Sequence, residues 1–146
     1  ATLGIIGDGP EYNRLQRQAA DLPHADRIEF LGFLDDYEEV LGHMRAADVF
    51  ASPSTREGFG ITFAEAMAAD CTVIAADHPE SAAGEVLGGA GYLAEPNADA
   101  IAETLSNALD GERPPEDPIE RSATFDWDAV AEQAETTYER AVAGKW

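Results

Sequence analysis

The chain has 146 residues, 45% of them hydrophobic, one cysteine and a formal net charge of −20. That length fits one domain with a sizeable core, and the lone Cys71 rules out an internal disulfide and fits a cytosolic setting. The charge sets the surface against nucleic acid and anionic membranes, and no apolar run nears the roughly 20 residues of a membrane span. No secretory leader is visible. One lysine, Lys145, accompanies eight arginines among 29 acids. The acids interleave with apolar residues at helical spacing, so the expectation is a folded protein adapted to high salt, whose counter-ions screen its self-repulsion. The alternative is an ordinary acidic protein.

Residues 2–6 form a short apolar strand. Gly7-Asp8-Gly9-Pro10 turns it into a helix, with Pro10 suited to the first helical position. Tyr12, Leu15, Ala19 and Leu22 make its apolar face, and Pro23 stops it. A GxGxxG dinucleotide turn fails at both starts: Tyr12 stands where Gly7 would need a glycine, and Ile6 where Gly4 would. A tight turn between strand and helix is the better account of Gly7 and Gly9.

Residues 27–33 form the second strand, with Phe33 and Leu34 at its C-terminal end, where ligands of open α/β sheets bind. Ordinary loop packing is the alternative for both. Asp36 caps the next helix, with Glu39 three residues on, and Tyr37, Val40, Leu41, Met44 and Ala47 face inward. Residues 49–52 are the third strand and 73–76 the fourth. Cys71, just before that strand, reads as a buried structural thiol. Residues 77–85 are a polar loop that opens a short helix near Ser81, and 92–94 are the last strand. His24, His43 and His78 lack partners at metal-ligand spacing, and each reads as a solvated loop residue. Asn97 caps a helix with Ile101, Leu105 and Leu109 inward, and 110–118 form a flexible connection. Phe125, Asp126 and Val130 fit a hydrophobic staple around an Asp cap, and Trp127, Val130, Ala134 and Tyr138 line the last helix. The alternation predicts an α/β fold, a doubly wound parallel sheet.

The stretch 52–70, SPSTREGFGITFAEAMAAD, carries the chemistry. A strand leads into Glu57-Gly58-Phe59-Gly60, and a helix follows. Amides around Phe59, Gly60, Ile61 and Thr62 lie at a helix N-terminus, which favours an anion. Gly58 and Gly60 lack a Cβ, so a ligand can approach the backbone. Side chains on a helix point back toward its start, so Glu65 reaches a ligand seated there. Its carboxylate suits a diol such as a ribose. Spacing alone proves little, since chance puts about six acid pairs eight apart in so acidic a chain.

The ordered run Asp48-Val49-Phe50, Pro53-Ser54, Glu57-Gly58-Phe59-Gly60, Glu65-Ala66-Met67-Ala68 resembles the E-x7-E signature of retaining GT-B glycosyltransferases of family 4, the glycosyl transferases group 1. LGIIGDGP at 3–10, IEFLGFLDD at 28–36, TVIAA at 72–76, residues 85–96 ending in GYLAEP, and Phe125-Asp126-Trp127 extend the resemblance over nearly the whole chain. It implies that residues 1–146 are the donor-binding, C-terminal Rossmann-like domain of a two-domain enzyme. It further implies that this domain lacks its first strand, with that strand's diphosphate-gripping arginine and lysine, and that the N-terminal acceptor domain is missing. Arg56 and Lys145 lie in the wrong places to stand in. The expected strand order is second, first, vacancy, third, fourth, fifth, with residues 2–6 and 49–52 not paired. The family usually has glycine near Asp70 and proline near Thr72, and their absence alters that turn without removing a ligand contact.

By this resemblance Glu57 is catalytic. The backbone of Gly58, Phe59, Gly60, Ile61 and Thr62 faces the sugar and diphosphate, Glu65 holds the ribose, and Phe33 and Leu34 lie against the base. The substrate is a UDP- or GDP-sugar, and transfer goes to an acceptor hydroxyl. No metal or other cofactor is expected, and this chain alone is expected to be inactive. The setting is cytoplasmic, at the inner membrane face where the missing domain carries it there. Two other readings stay open: a nucleotide or nucleotide-sugar binding module without turnover, and a GT-B sugar-nucleotide epimerase. Sugar, base and acceptor are not legible.

Overall fold

The computed structural model describes residues 1–144; Lys145 and Trp146 lie outside the described residues. The chain divides into two compact units, Ala1–His43 and Met44–Trp146.

In the first unit, β1 (Leu3–Ile6) pairs in parallel with β2 (Ile28–Gly32), Leu3 opposite Ile28 and Ile5 opposite Phe30. Helix α1 (Tyr12–Ala20) and a 3-10 turn at Ala25–Arg27 connect them. Pro10 is not the first helical residue. Asp8 Oδ1 accepts the Gly9 N–H at 2.6 Å and the Gly9 carbonyl accepts that of Tyr12 at 3.0 Å, so the turn consumes these residues before α1 starts. Tyr12 meets Phe30 edge-on at 5.6 Å and donates its hydroxyl to the Phe30 carbonyl at 3.3 Å. Leu15 and Leu22, expected inward, are 40% and 49% exposed, because one helix on two strands covers only a narrow stripe. The second strand is shorter than expected. Arg27 belongs to the 3-10 turn, and Gly32 at φ 70° turns the chain before Phe33.

Helix α2 (Tyr37–Ala46) starts as expected, with Asp36 Oδ1 accepting the Glu38 N–H at 3.0 Å. Val40 and Leu41 are half-buried and Met44 is buried. Tyr37, the first residue of the helix, and Ala47, just past its end, are exposed.

The second unit holds β3 (Val49–Ser52), β4 (Thr72–Ala76) and β5 (Gly91–Ala94), parallel and in the order β3-β4-β5. Every residue of β4 is buried, which is why TVIAA reads as a near-continuous apolar run. Ile74 and Ala94 pack on Ala108, joined by Val49, Tyr92, Ile101 and Leu105. Alternation aims Val73 and Ala75 at the opposite face. Helices α3 (Ile61–Ala68), α4 (Ala83–Leu87) and α5 (Ala98–Leu109) all contact β4, and Phe63, Met67 and Leu87 are fully buried. The fold is thus α/β with parallel strands, Rossmann-like, and β1 and β3 belong to separate sheets as expected.

Three expectations fail in this unit. Leu109 is 49% exposed and Ala108 takes the inward position, one residue earlier on the 3.6-residue repeat. The connection expected to be flexible is tied down: Arg113 Nη1 donates to the Asp70 carbonyl at 3.0 Å and to Thr72 Oγ1 at 3.3 Å, and the Glu116 N–H donates to the Gly89 carbonyl at 3.0 Å. It leads into an unforeseen helix, α6 (Pro118–Ala123), whose Asp117 cap accepts from Ile119 and Glu120 at 2.8 and 3.1 Å. The last helix, α7 (Trp127–Val142), does start on its Asp126 cap. Yet Trp127, Val130 and Tyr138 are 85%, 42% and 74% exposed, because the strands are already covered by the earlier helices.

The turn after α3 is held by contacts of Asp70 and Cys71. Asp70 adopts φ 64°, the Cys71 N–H reaches back to the Ala66 carbonyl at 3.0 Å, and Arg113 pairs with the Asp70 carboxylate. Cys71 is fully buried and donates to the Met44 carbonyl at 3.1 Å. Burial, then the neighbouring Asp70, push its thiol pKa up, which fits an inert structural residue.

Candidate functional site

Strand β3 ends at Ser52 and delivers the chain into the loop 53–60 at the C-terminal edge of its sheet. Ser54 Oγ donates to the Arg56 carbonyl at 2.9 Å, which closes the first half of the loop. Glu57, half-buried, is held by its backbone: its N–H donates to the Glu80 carbonyl at 3.4 Å and its carbonyl accepts the Ala82 N–H at 3.0 Å. Arg56 Nε meets Glu80 Oε2 at 3.1 Å, an exposed pair worth about 0–1 kcal/mol. The sequence reading missed this second strip, residues 80–82. Its signal was positional: loops that leave neighbouring parallel strands emerge side by side, and β3 and β4 are neighbours.

Gly60 is the N-cap of α3, at φ 76° and ψ 52°, a left-handed conformation that glycine adopts without strain. A Cβ there would stand 2.5 Å from Phe63 Cδ2 and 3.1 Å from Glu57 Cγ. The expected role of Gly60 therefore changes. It is buried, and its bare Cα admits its own neighbours rather than a ligand. Gly58 is the open one, with no atom within 4 Å of an added Cβ. The geometry also brings the Glu57 stem against the start of α3.

Glycine supplies no side-chain cap to α3, so the amides of the first turn point out of the helix start without an intrahelical acceptor. The Phe63 N–H turns back, to the Gly60 carbonyl at 2.9 Å. Ile61 is 61% exposed and Thr62 is also exposed. Glu65 lies one turn in, half-buried, and burial raises its carboxyl pKa above the ordinary value. A helix start with open amides and a carboxylate one turn along can hold an anion and a hydroxyl pair together.

Phe33 and Leu34 lie in the first unit, just past the Gly32 turn, where the Gly7 N–H donates to the Gly32 carbonyl at 2.7 Å. Phe33 is 72% exposed and Leu34 half-buried, so the ring is presented rather than packed. The histidines are less uniform than expected. His43 sits on α2 rather than in a loop, and His78 Nδ1 accepts the Glu80 N–H at 3.2 Å.

Residues 1–125 match the family model for glycosyl transferases group 1. A phosphatidyl-myo-inositol mannosyltransferase of Mycobacterium leprae is 37% identical over 145 residues, covering 94% of this chain and 37% of its own. Sucrose-phosphate synthase of Thermosynechococcus elongatus superposes with a TM-score of 0.78 at 27% identity, over 98% of this chain and 39% of its own. Anabaena HepE, solved in complex with UDP, superposes with a TM-score of 0.71 at 27% identity, over 95% of this chain and 41% of its own. The chain thus spans about two-fifths of the length of these relatives.

Proposed function

The chain belongs to the glycosyl transferases group 1 family, and from that premise we propose that it is the donor-binding part of a retaining glycosyltransferase. One observation carries the reading. The open, glycine-capped start of α3 stands between Glu57 and Glu65 at the C-terminal edge of the β3 sheet. The donor is a nucleotide-diphosphate sugar. The amides of residues 59–62 take the diphosphate, and Glu65 accepts the ribose hydroxyls. Glu57 faces the sugar, where charge of oxocarbenium type develops at the anomeric carbon as the diphosphate leaves. Open amides at a helix start stabilise that leaving charge without a metal. The UDP complex of HepE supports a nucleotide-diphosphate ligand, and a GDP-sugar fits the same chemistry. The acceptor is bound by a second domain, in keeping with the share of its relatives that this chain spans. Among the described residues no helix is long and apolar enough to cross a membrane. We place the protein in the cytoplasm, with access to the inner membrane face through that second domain.

Calorimetry with UDP and GDP tests the site. Glu65→Gln keeps the shape and removes the charge, so affinity should fall by about 1.5–3 kcal/mol, the range for a hydrogen bond to a charged group. Equal affinity in both forms would remove Glu65 from the site, and the tighter nucleotide identifies the base.

We further read the surface as adapted to high salt, on the strength of the −20 charge. The melting temperature should then climb steadily from dilute to molar KCl as counter-ions screen the repulsion. A flat or falling curve would remove that reading.

A further inference from the structure

We propose that Phe125 and Arg121 are positioning residues, which fix the glycine turn 58–60 through the ring of Phe59. The functional half of this proposal rests on the donor-site reading above. A turn with glycine on both sides of one residue is loose by itself, because each glycine has more backbone freedom to lose than any other residue. Something outside the turn must hold it. One anchor is the backbone pairing of Glu57 with residues 80–82. The other is at Phe59. Its ring meets Phe125 edge-to-face, with centroids 5.5 Å apart and planes at 83°.

Phe125 is in turn covered by Arg121, whose guanidinium carbon stands 5.2 Å from the ring centroid. The guanidinium is anchored on its other side. Nε donates to the Val86 carbonyl at 2.9 Å and Nη2 to the Glu85 carbonyl at 2.5 Å. Those carbonyls lie at the end of α4, where no intrahelical donor remains for them. The two anchors therefore grip the same stretch of chain, residues 80–86, from opposite ends of the loop. Phe59 is 53% exposed, so burying its area is a minor part of what the contact does. A surface ring held edge-on by a ring that is itself held by a fixed cation serves geometry: it sets where the amides on either side of Phe59 point.

The test compares Phe125→Leu, Phe125→Tyr, Arg121→Lys and, as a control, Val142→Ser at a site 90% exposed on α7. Two readouts are taken on each: backbone 15N order parameters by NMR at Gly58, Phe59 and Gly60 and along β4, and calorimetric affinity for UDP and GDP. Leucine keeps apolar bulk and loses both ring interactions. Order parameters at 58–60 should fall from the rigid value of about 0.85 toward the flexible range below about 0.6, with β4 unchanged, and nucleotide affinity should fall about three- to tenfold, matching one edge-to-face pair. Tyrosine should keep both at the parent's values, lysine should fall between, and the control should match the parent. Unchanged order parameters at 58–60 in Phe125→Leu overturn the proposal. So does an equal fall along β4, which marks a general packing role. If Phe125→Leu fails to fold, Arg121→Lys decides by the same two criteria. If the parent binds neither nucleotide, the donor-site reading fails, while the order parameters still decide whether the ring contact sets the turn.

Discussion

The two units obey the same local rules and reach different ends. Each is built of parallel strands joined by helices, and each carries a similar density of negative charge: nine acids against three arginines in residues 1–43, twenty against six basic residues in 44–146. The second unit buries β4 completely and packs Phe63, Met67 and Leu87 to zero exposure. The first has no fully buried residue, and leaves Leu3 53%, Leu15 40%, Leu22 49% and Phe33 72% exposed. The difference lies in layers. A strand with neighbours on both edges and helices on its faces is shielded on every side, whereas two strands with one helix leave apolar area open. Stability therefore concentrates in the second unit, which also carries the start of α3.

The largest expected effect is on that contrast. Phe63→Ala empties a fully buried position that also meets Phe50 edge-on at 6.4 Å, and should cost about 3–5 kcal/mol in equilibrium denaturation. Leu15→Ala in the first unit should cost well under half of that, since much of its side chain never leaves water. Comparable losses from the two variants would break the comparison.

Gly60→Ala comes next, at about 1–3 kcal/mol for a side chain forced into left-handed backbone. The added methyl also collides with Phe63, so the core and the site should fail together. Gly58→Ala, with open space around it, should fold normally. A melting temperature for Gly60→Ala equal to that of the parent would show that the turn relaxes freely, contrary to its packing.

These positions also show what was legible in the residues alone. The β3–turn–α3 unit was readable almost to the residue, because a glycine turn, an apolar strand and a helical repeat are all local signals. So were the Asp36, Asn97 and Asp126 caps. The errors came from long range. Arg113 meets Asp70 across 43 residues and Arg121 meets Val86 across 35, and no periodicity encodes either contact. Helix α6 was hidden in a stretch that reads as prolines and acids. Asp117 followed by Pro118 is in fact a strong helix start, but it was overshadowed by Pro114 and Pro115. Tyr37, Leu109 and Tyr138 have the right spacing for an inward face and are exposed. Spacing says which residues share a face, and the layers decide whether that face is covered.

The smallest effect sharpens the comparison inside the second unit, between packing and chemistry. Burial raises the Glu65 carboxyl pKa, so the folded chain holds that proton more tightly than the unfolded chain does. The stabilisation linked to that proton is fully present below the ordinary carboxyl range, about pH 4. It is lost as pH rises through the raised value, so at pH 7 the ionised carboxylate is a burden on the fold. Glu65→Gln removes the burden. It should melt slightly higher than the parent at pH 7, and the difference should shrink to nothing as the pH falls below about 4. The same substitution should weaken nucleotide binding, so stability and affinity move in opposite directions, as they do where a site holds a group the fold would rather neutralise. Melting curves for both forms across pH 4 to 8 separate the cases. A Glu65→Gln protein less stable than the parent at pH 7 would mean that the contacts of the carboxylate outweigh its desolvation and serve the fold. Its place in a ligand site would then need support from binding alone.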